Sequence, residues 1–522
     1  MGVVVRNVYH WVMQLLYLLA FYFLLLLFNL TRLPIFNDEA IYLDWAWSFT
    51  HYPGHLFDSL LDAKQPLMIW IFAVFENIFT DPLLAGRFVS VLVGCVTLLG
   101  IYSVTNRLLG SKGAILASLL YTIIPIFVFY NRQALMEAGV ACVGIWSFYY
   151  LLNLIQDYKF RDAAMLGVIL GVGFLIKTSA ILFLLSALVM LFAIAWKRMN
   201  QQIGMISVIV LGAFMSIVVI LIVNLLFWQS LASNSRYALS LSEMLAFPAD
   251  VWLHNLAGFF EIGLVFVTPI VFILCLIGLW LMNKNKVKEA KIFLGYFLLP
   301  LVLEIILVRN QSQRYLVPFL TFMVVPVVYV TMIWWRRNLV SKMFVLIVFL
   351  LPLYSTFRLV VKPDRFIEQS AILSQYAEIA HIHGQTSGYG IQETIQYIKS
   401  NSVVGKPTMV LFALNTGNPE NAVNLYSAND YDLYGLHLDS KMIENLGDYS
   451  CLSSDYPTFF VSRNNELAGM EDYFELVQSF PNPRGGYFIG VSVLKRDCTG
   501  EVGSLSDMYQ GSMRQIKKQR SF

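Results

Sequence analysis

Charge is what this chain has little of. Only 13% of its 522 residues are Asp, Glu, Lys or Arg, about half the roughly 25% of an ordinary globular chain. No basic run stands out against the net charge of +3, which argues against a nucleic-acid partner. Cysteine is scarce as well, with five in all and none in a CxxC pair, so a cysteine-based zinc module is excluded. Cys95, Cys142 and Cys275 lie in apolar runs and read as core residues. Cys451 and Cys498 lie in the polar tail, where they could pair only in an oxidising compartment. The lone His381/His383 pair reads as solvated surface. Asp430 and Asp432, with no nucleotide-binding βαβ pattern around them, read as a loop. No metal or other cofactor is indicated.

What fills the space is hydrophobic: 58% of the residues, with 15% aromatic. Apolar runs recur at about 10–30, 83–105, 113–131, 134–155, 163–177, 179–196, 203–228, 257–282, 291–308, 314–335 and 341–360. They predict a polytopic α-helical membrane protein of about 11 spans. The first run is too long for a signal-peptide core and lacks a small-x-small cleavage site, so it reads as a retained span. The apolar segment Gln65–Phe79 is short and is predicted to lie in the interface.

The few charges are unevenly placed. Arg107/Lys112, Lys159/Arg161, Lys197/Arg198, Lys284/Lys286/Lys288 and Arg336/Arg337/Lys342 fall in alternate connections, which predicts that those connections are cytoplasmic. An odd span count then puts the N-terminus in the cytoplasm of a cell (plasma or inner) membrane and the C-terminal tail outside. From Lys362 the composition becomes that of a soluble α/β domain. It has strand-like runs at Thr408–Leu414, Thr458–Arg463 and Gly486–Lys495, and a helical stretch at Ile391–Ser400. The expected organisation is therefore a membrane domain over 1–361, with a first outer loop at about 31–82. An extracytoplasmic α/β domain over 362–502 follows, then a frayed tail over 503–522.

Ionisable residues gather at the predicted outer ends of the spans: Asp38, Glu39, Lys64, Arg132, Glu137, Lys177, Glu261, Glu304, Arg309 and Arg314. Such a ring describes a polar cavity at the outer membrane surface. It suits a substrate with a greasy tail and a charged head. Carboxylates would act as base while Lys and Arg hold a phosphate leaving group. A transporter or flippase remains a second reading, although no internal repeat or polar midplane is visible. The adjacent Asp38 and Glu39 also have a structural explanation, because Asn37 is a suitable N-cap and acids in a first helical turn favour the helix dipole.

Five elements occur in a telling order: "NDEAIY" after the first span, "DAKQPLMIW" before the next, then "RQALMEAG", "GVGFLIKTSA" and "RYLVPFL". Over roughly residues 10–335 the chain resembles the polyprenyl-phosphate-dependent glycosyltransferases of the GT-C type. Within them it is most similar to the branch of protein O-mannosyltransferases and the lipid A aminoarabinose transferase. The Lys-Pro-Pro-Leu form of that family is Lys-Gln-Pro-Leu here, and the usual second-loop Asp is Glu137. The resemblance implies transfer of one sugar from a polyprenyl phosphate to a glycan, lipid or protein acceptor, by inverting displacement. It implies Asp38 as general base, assisted by Glu39, and Lys64, Lys177 and Arg314 at the donor phosphate. Glu137, Arg132, Tyr42 and Glu304 would meet the sugar or acceptor. A GT-C enzyme using a lipid diphosphate donor is a further alternative. It usually carries a divalent metal and a Trp-Trp-Asp motif, which this sequence lacks.

Overall fold

The computed structural model describes residues 2–195, 202–233, 237–287, 289–370, 379–403, 405–412, 417–427, 433–438, 451–454, 456–467, 469–483, 485–495 and 502–504. Lys197, Arg198, Lys288, Asp430, Asp432, Cys498 and the tail beyond 504 fall outside them. So do the side chain of Cys451 and with it the Cys451–Cys498 pairing. The chain divides into two compact units.

The first unit, residues 1–30, 57–71 and 87–374, is helical. Six helices among the described residues are long and apolar enough to cross a membrane: Pro82–Leu109, Glu137–Asp157, Gly204–Ile222, Ala290–Leu307, Gln313–Trp335 and Leu339–Val361. A seventh span is formed if Ala249–Val265 and Pro269–Lys284, bent by 114° at their junction, count together. This is a multi-pass membrane protein. The remaining apolar runs form shorter helices, and local chemistry explains where they break. Pro125 forces Ile124 into an extended conformation (φ −76°, ψ 123°), so the run 113–131 divides into Ser111–Ile123 and Pro125–Tyr130. Lys177 is extended (φ −159°, ψ 137°) between Phe160–Ile176 and the helix beginning at Ile181. Leu67–Glu76 has only 10 residues, about 15 Å at 1.5 Å per residue, half the thickness of a hydrocarbon core.

Where apolar helices sit in apolar solvent, close backbone approach replaces the hydrophobic effect as the packing force. Helix Phe160–Ile176 lies directly against helix Gln202–Ile222 at Gly167. A Cβ on Gly167 would stand 2.3 Å from the Val210 carbonyl oxygen, a backbone atom that cannot swing aside. Aromatic rings fill the interior beside these helices. Phe148 packs on Tyr296 at 5.0 Å between centroids, and Phe183 on Phe319 at 5.3 Å.

The second unit comprises residues 31–56, 72–86 and 375–522. Its sheet runs β2-β1-β4-β6-β5, where β1 is Thr408–Phe412, β2 Leu433–His437, β4 Thr458–Arg463, β5 Phe474–Pro481 and β6 Phe488–Leu494. β1 is parallel to both its neighbours, whereas β6 is antiparallel to β4 and β5. Two short strands, β3 (Cys451–Ser453) and β7 (Val502–Ser504), pair separately. The apolar runs "TMVLF" and "TFFVS" are buried throughout, as strands covered on both faces must be. Met409, Leu411, Phe460 and Phe474 lie in one core with Leu438 and Leu452. Helix Asn37–His51, from the first loop of the chain, belongs to this unit and packs on helix Glu420–Ser427.

Gly167→Val should lower the thermal unfolding midpoint of the detergent-solubilised protein, since overpacking costs about 1–3 kcal/mol. Gly212→Ala, on the facing helix with nothing within 4 Å of the added carbon, should leave the midpoint unchanged. Equal midpoints for the two variants would contradict this packing.

Candidate active site

Helix Asn37–His51 carries the two adjacent acids, and its start differs from the expectation. Phe36, in an extended conformation, is the N-cap, and Asn37 is already the first helical residue. A phenylalanine side chain accepts no hydrogen bond, so the start is held from the other side: the Phe36 N–H donates to Glu39 Oε2 at 2.9 Å. Asn37 is released from capping and used elsewhere. Its N–H donates to the Thr386 carbonyl at 3.1 Å, and its Oδ1 accepts the Asn418 N–H at 2.8 Å. Glu39 is wholly buried, whereas Asp38 beside it is partly exposed. Tyr42 is buried one turn further on, its ring stacked on Trp45 at 6.1 Å.

Two turns along the same helix lies Asp44, also buried. Its two oxygens accept hydrogen bonds from the Asn421 and Asn424 amides, at 2.7 and 2.9 Å. Burial pushes its carboxyl up to about 6, with the two amides pulling the other way. Glu420 opens helix Glu420–Ser427 and is raised by burial despite Arg463 at 3.7 Å.

In the membrane unit the structure brings together four of the predicted residues. Glu137 is the first residue of helix Glu137–Asp157 and is buried. Lys177, at the break between two helices, reaches it with Nζ 2.8 Å from Oε1. Lys177 also lies over the Tyr315 ring at 4.6 Å, and the Arg314 guanidinium lies 5.3 Å from the centroid of that same ring. One aromatic ring thus steadies two cations that would otherwise repel each other. Glu304, buried near the end of helix Ala290–Leu307, has Lys177 and Glu137 as its charged neighbours. Two cations, two carboxyls and a phenol ring form one cluster. It can bind an anion through Lys177 and Arg314 and hold a hydroxyl through the acids.

Two further predicted residues have partners of their own. The Arg132 guanidinium donates to the carbonyls of Phe28 and Asn29, both at 2.8 Å, and to Leu25 at 3.3 Å. It thereby closes the C-terminal end of helix Gly2–Leu27. Lys64 stands 4.6 Å over the Tyr237 ring, with its Nζ 3.4 Å from the hydroxyl. Close by in sequence, Glu243 is held at about 2 by the Ser240 hydroxyl and N–H and by Arg309, which reaches it at 2.8 Å.

Sequence reasoning overlooked Tyr315, Tyr237 and the asparagines of helix Glu420–Ser427. Tyr315 follows Arg314 directly, so an aromatic platform beside the arginine was there to be read. Asn421 and Asn424 stand three apart in "ENAVN", a spacing that puts both amides on one helix face.

Two outcomes follow. Lys177→Met strands a buried Glu137 carboxylate and should cost about 3–5 kcal/mol, whereas Lys177→Met with Glu137→Met should recover most of that stability. A thermal-shift series on the single and double variants checks it, and a double variant no more stable than the single one would refute it. Asp44 is a carboxyl whose folded value lies above its ordinary 3.8, so folding favours its neutral form. Its contribution is therefore greatest below about pH 4 and declines by up to about 3 kcal/mol as pH rises to about 6. Asp44→Asn should flatten the pH dependence of unfolding in that window.

Comparison with known proteins bears on what such a cluster belongs to. Residues 63–228 match the family model of dolichyl-phosphate-mannose-protein mannosyltransferase. No curated protein matches the sequence. In fold, the chain is similar to ArnT from Cupriavidus metallidurans bound to undecaprenyl phosphate, with a TM-score of 0.55 at 12% identity, covering 92% of this chain and 97% of that one. It is also similar to the Archaeoglobus fulgidus oligosaccharyltransferase in complex with Zn and sulfate, with a TM-score of 0.55 at 11% identity, covering 95% and 73%. The matched segment contains Lys64, Glu137 and Lys177, and over nearly its whole length the chain is similar in fold to ArnT and to the oligosaccharyltransferase.

Proposed function

We propose that the protein transfers a single sugar from a polyprenyl phosphate to an acceptor hydroxyl at the outer face of a cell membrane. The observation that carries this reading is the cluster of Lys177, Arg314, Glu137 and Glu304 around Tyr315. Lys177 and Arg314 stand at one ring beside two acids, an arrangement that can receive a lipid phosphate reaching it from the bilayer. ArnT, similar in fold across nearly all of both chains, has been seen with undecaprenyl phosphate bound.

In the proposed reaction Asp38 takes the proton of the acceptor hydroxyl as its oxygen attacks the anomeric carbon. The bond to the phosphate oxygen breaks on the opposite face, so configuration inverts. The electron pair leaves with the polyprenyl phosphate, whose charge Lys64, Lys177 and Arg314 stabilise. Glu39 fixes the first turn through the Phe36 N–H and so sets where Asp38 points. Tyr42, Glu137, Arg132 and Glu304 are assigned to the sugar or acceptor. In this reading the N-terminus lies in the cytoplasm and the α/β unit outside, as the Lys and Arg of alternate connections suggest. The leaving group is stable as an anion, so the proposed transfer needs no metal. Among the described residues no three His, Cys, Asp or Glu side chains converge as a metal ion would require.

With purified protein and a polyprenyl-phosphate sugar, Asp38→Asn should reduce kcat by about 100-fold or more while donor binding and folding persist. EDTA should leave wild-type turnover unchanged. Near-normal turnover by Asp38→Asn would remove the base assignment, and abolition by EDTA reversed by a divalent cation would favour a diphosphate donor.

A further inference from the structure

Asp38 sits in a helix whose position is fixed by residues almost 400 places away. The loop and helix 417–424 grips the start of helix Asn37–His51 at several points, all within one compact unit. Asn418 is the centre of the first grip. Its N–H donates to Asn37 Oδ1 at 2.8 Å, and its side-chain amide donates to the carbonyls of Ile35 at 3.0 Å and Thr386 at 3.1 Å. The residues bracketing Asp38's own turn are therefore tied down on the N-terminal side. The Asn418 carbonyl in turn accepts from Arg463 Nε, at the end of β4. Gly417 admits no substitute: its φ is +109°, and a Cβ there would stand 2.3 Å from Asn37 Oδ1.

The second grip lies two turns along. Asn421 and Asn424 donate to the two oxygens of Asp44, across 377 and 380 residues of sequence. Asn421 also accepts the Gly417 N–H through its Oδ1 at 2.9 Å, so its amide orientation is fixed and the two grips are linked. A buried carboxyl met by two side-chain amides is a specific arrangement, because any apolar replacement leaves a buried acceptor without its donor. Two grips about two turns apart fix both the position and the rotation of the helix. That is what a partly exposed base on its first turn requires.

We propose that Asn418, Asn421 and Asn424 are positioning residues for the transfer reaction: through Asn37 and Asp44 they set the orientation of Asp38. The α/β unit is thus a working part of the catalytic apparatus, besides any part it takes in choosing acceptors. This rests on the reading of Asp38 as base. It predicts a defect in chemistry rather than in binding, since misplacing a reacting group by about 1 Å can cost on the order of 100-fold.

The test uses the full-length protein in nanodiscs and a polyprenyl-phosphate sugar. Asn418→Ala and Asn421→Ala should each lower kcat by about 10- to 100-fold and leave the donor KM within about twofold. The exchanged pair Asp44→Asn with Asn421→Asp keeps one carboxylate facing one amide and should return kcat to within about threefold of wild type. Hydrogen exchange supplies a readout independent of turnover. In Asn421→Ala, protection should fall in residues 37–46 and stay unchanged in β1 and β4, which separates a loosened helix from an unfolded domain. Full kcat in the single variants, an exchanged pair as impaired as Asn421→Ala, or unchanged protection at 37–46 would each overturn the proposal. Failure of the glycosyltransferase reading looks different: the wild-type protein would make no glycosidic bond, or Asp38→Asn would turn over normally, whatever the exchange data show.

Discussion

A buried charge in a lipid-embedded protein must find its partner inside the protein, and the contact between Glu137 and Lys177 is where this constraint shapes the membrane unit. Glu137 begins its helix while buried, with Lys177 2.8 Å away and Arg314 beside it. Lys177 arrives because the chain breaks there, in an extended conformation between two apolar helices. The break delivers a cation to a polar cluster, and irregular backbone within a membrane domain occurs where it is buried or lines a cavity. Tyr315 completes the arrangement by lying under both Lys177 and Arg314. A cluster of two cations steadied by one ring and two acids is a poor device for stability alone, since paired buried ions contribute little net. It is a good device for receiving an anionic headgroup.

The α/β unit solves a different problem with neutral groups. On helix Asn37–His51 the buried Asp44 is met by the side-chain amides of Asn421 and Asn424, and Asn37 by the Asn418 N–H. An amide donates a hydrogen bond without the full opposing charge that would hold a carboxylate ionised and unreactive. Glu39 is likewise satisfied by a backbone N–H. The result is a helix start with defined geometry and an acid, Asp38, left partly exposed on it.

Much of this was legible in the sequence. The membrane class followed from missing charge and long apolar runs. The cluster of Lys177, Glu137, Glu304 and Arg314 was visible as ionisable residues at span ends. β1, β4 and β6 showed as continuous apolar runs, because strands buried on both faces leave no polar alternation to confuse them. Other features were hidden for physical reasons. The break at Lys177 showed as a gap between two apolar runs, whereas the count of about eleven runs did not reveal that Pro125 divides the run 113–131. β5 escaped because most of its residues are exposed and a bulge between Leu476 and Gln478 breaks its alternation. Asn37 read as a cap because capping chemistry is local, whereas its true partners at Thr386 and Asn418 are hundreds of residues away. The same distance concealed Asp44, one of many outer-loop acids until Asn421 and Asn424 are found against it.

The central claim is that this chain makes a glycosidic bond with a lipid monophosphate as leaving group. The most direct measurement follows wild-type protein in nanodiscs with a defined polyprenyl-phosphate sugar and a cell-envelope acceptor fraction. Mass spectrometry would read the lipid products, and NMR the anomeric configuration of the transferred sugar. The account predicts stoichiometric release of polyprenyl monophosphate and a product of inverted configuration. Movement of intact lipid-linked sugar between leaflets with no new glycosidic bond, or a product of retained configuration, would contradict it.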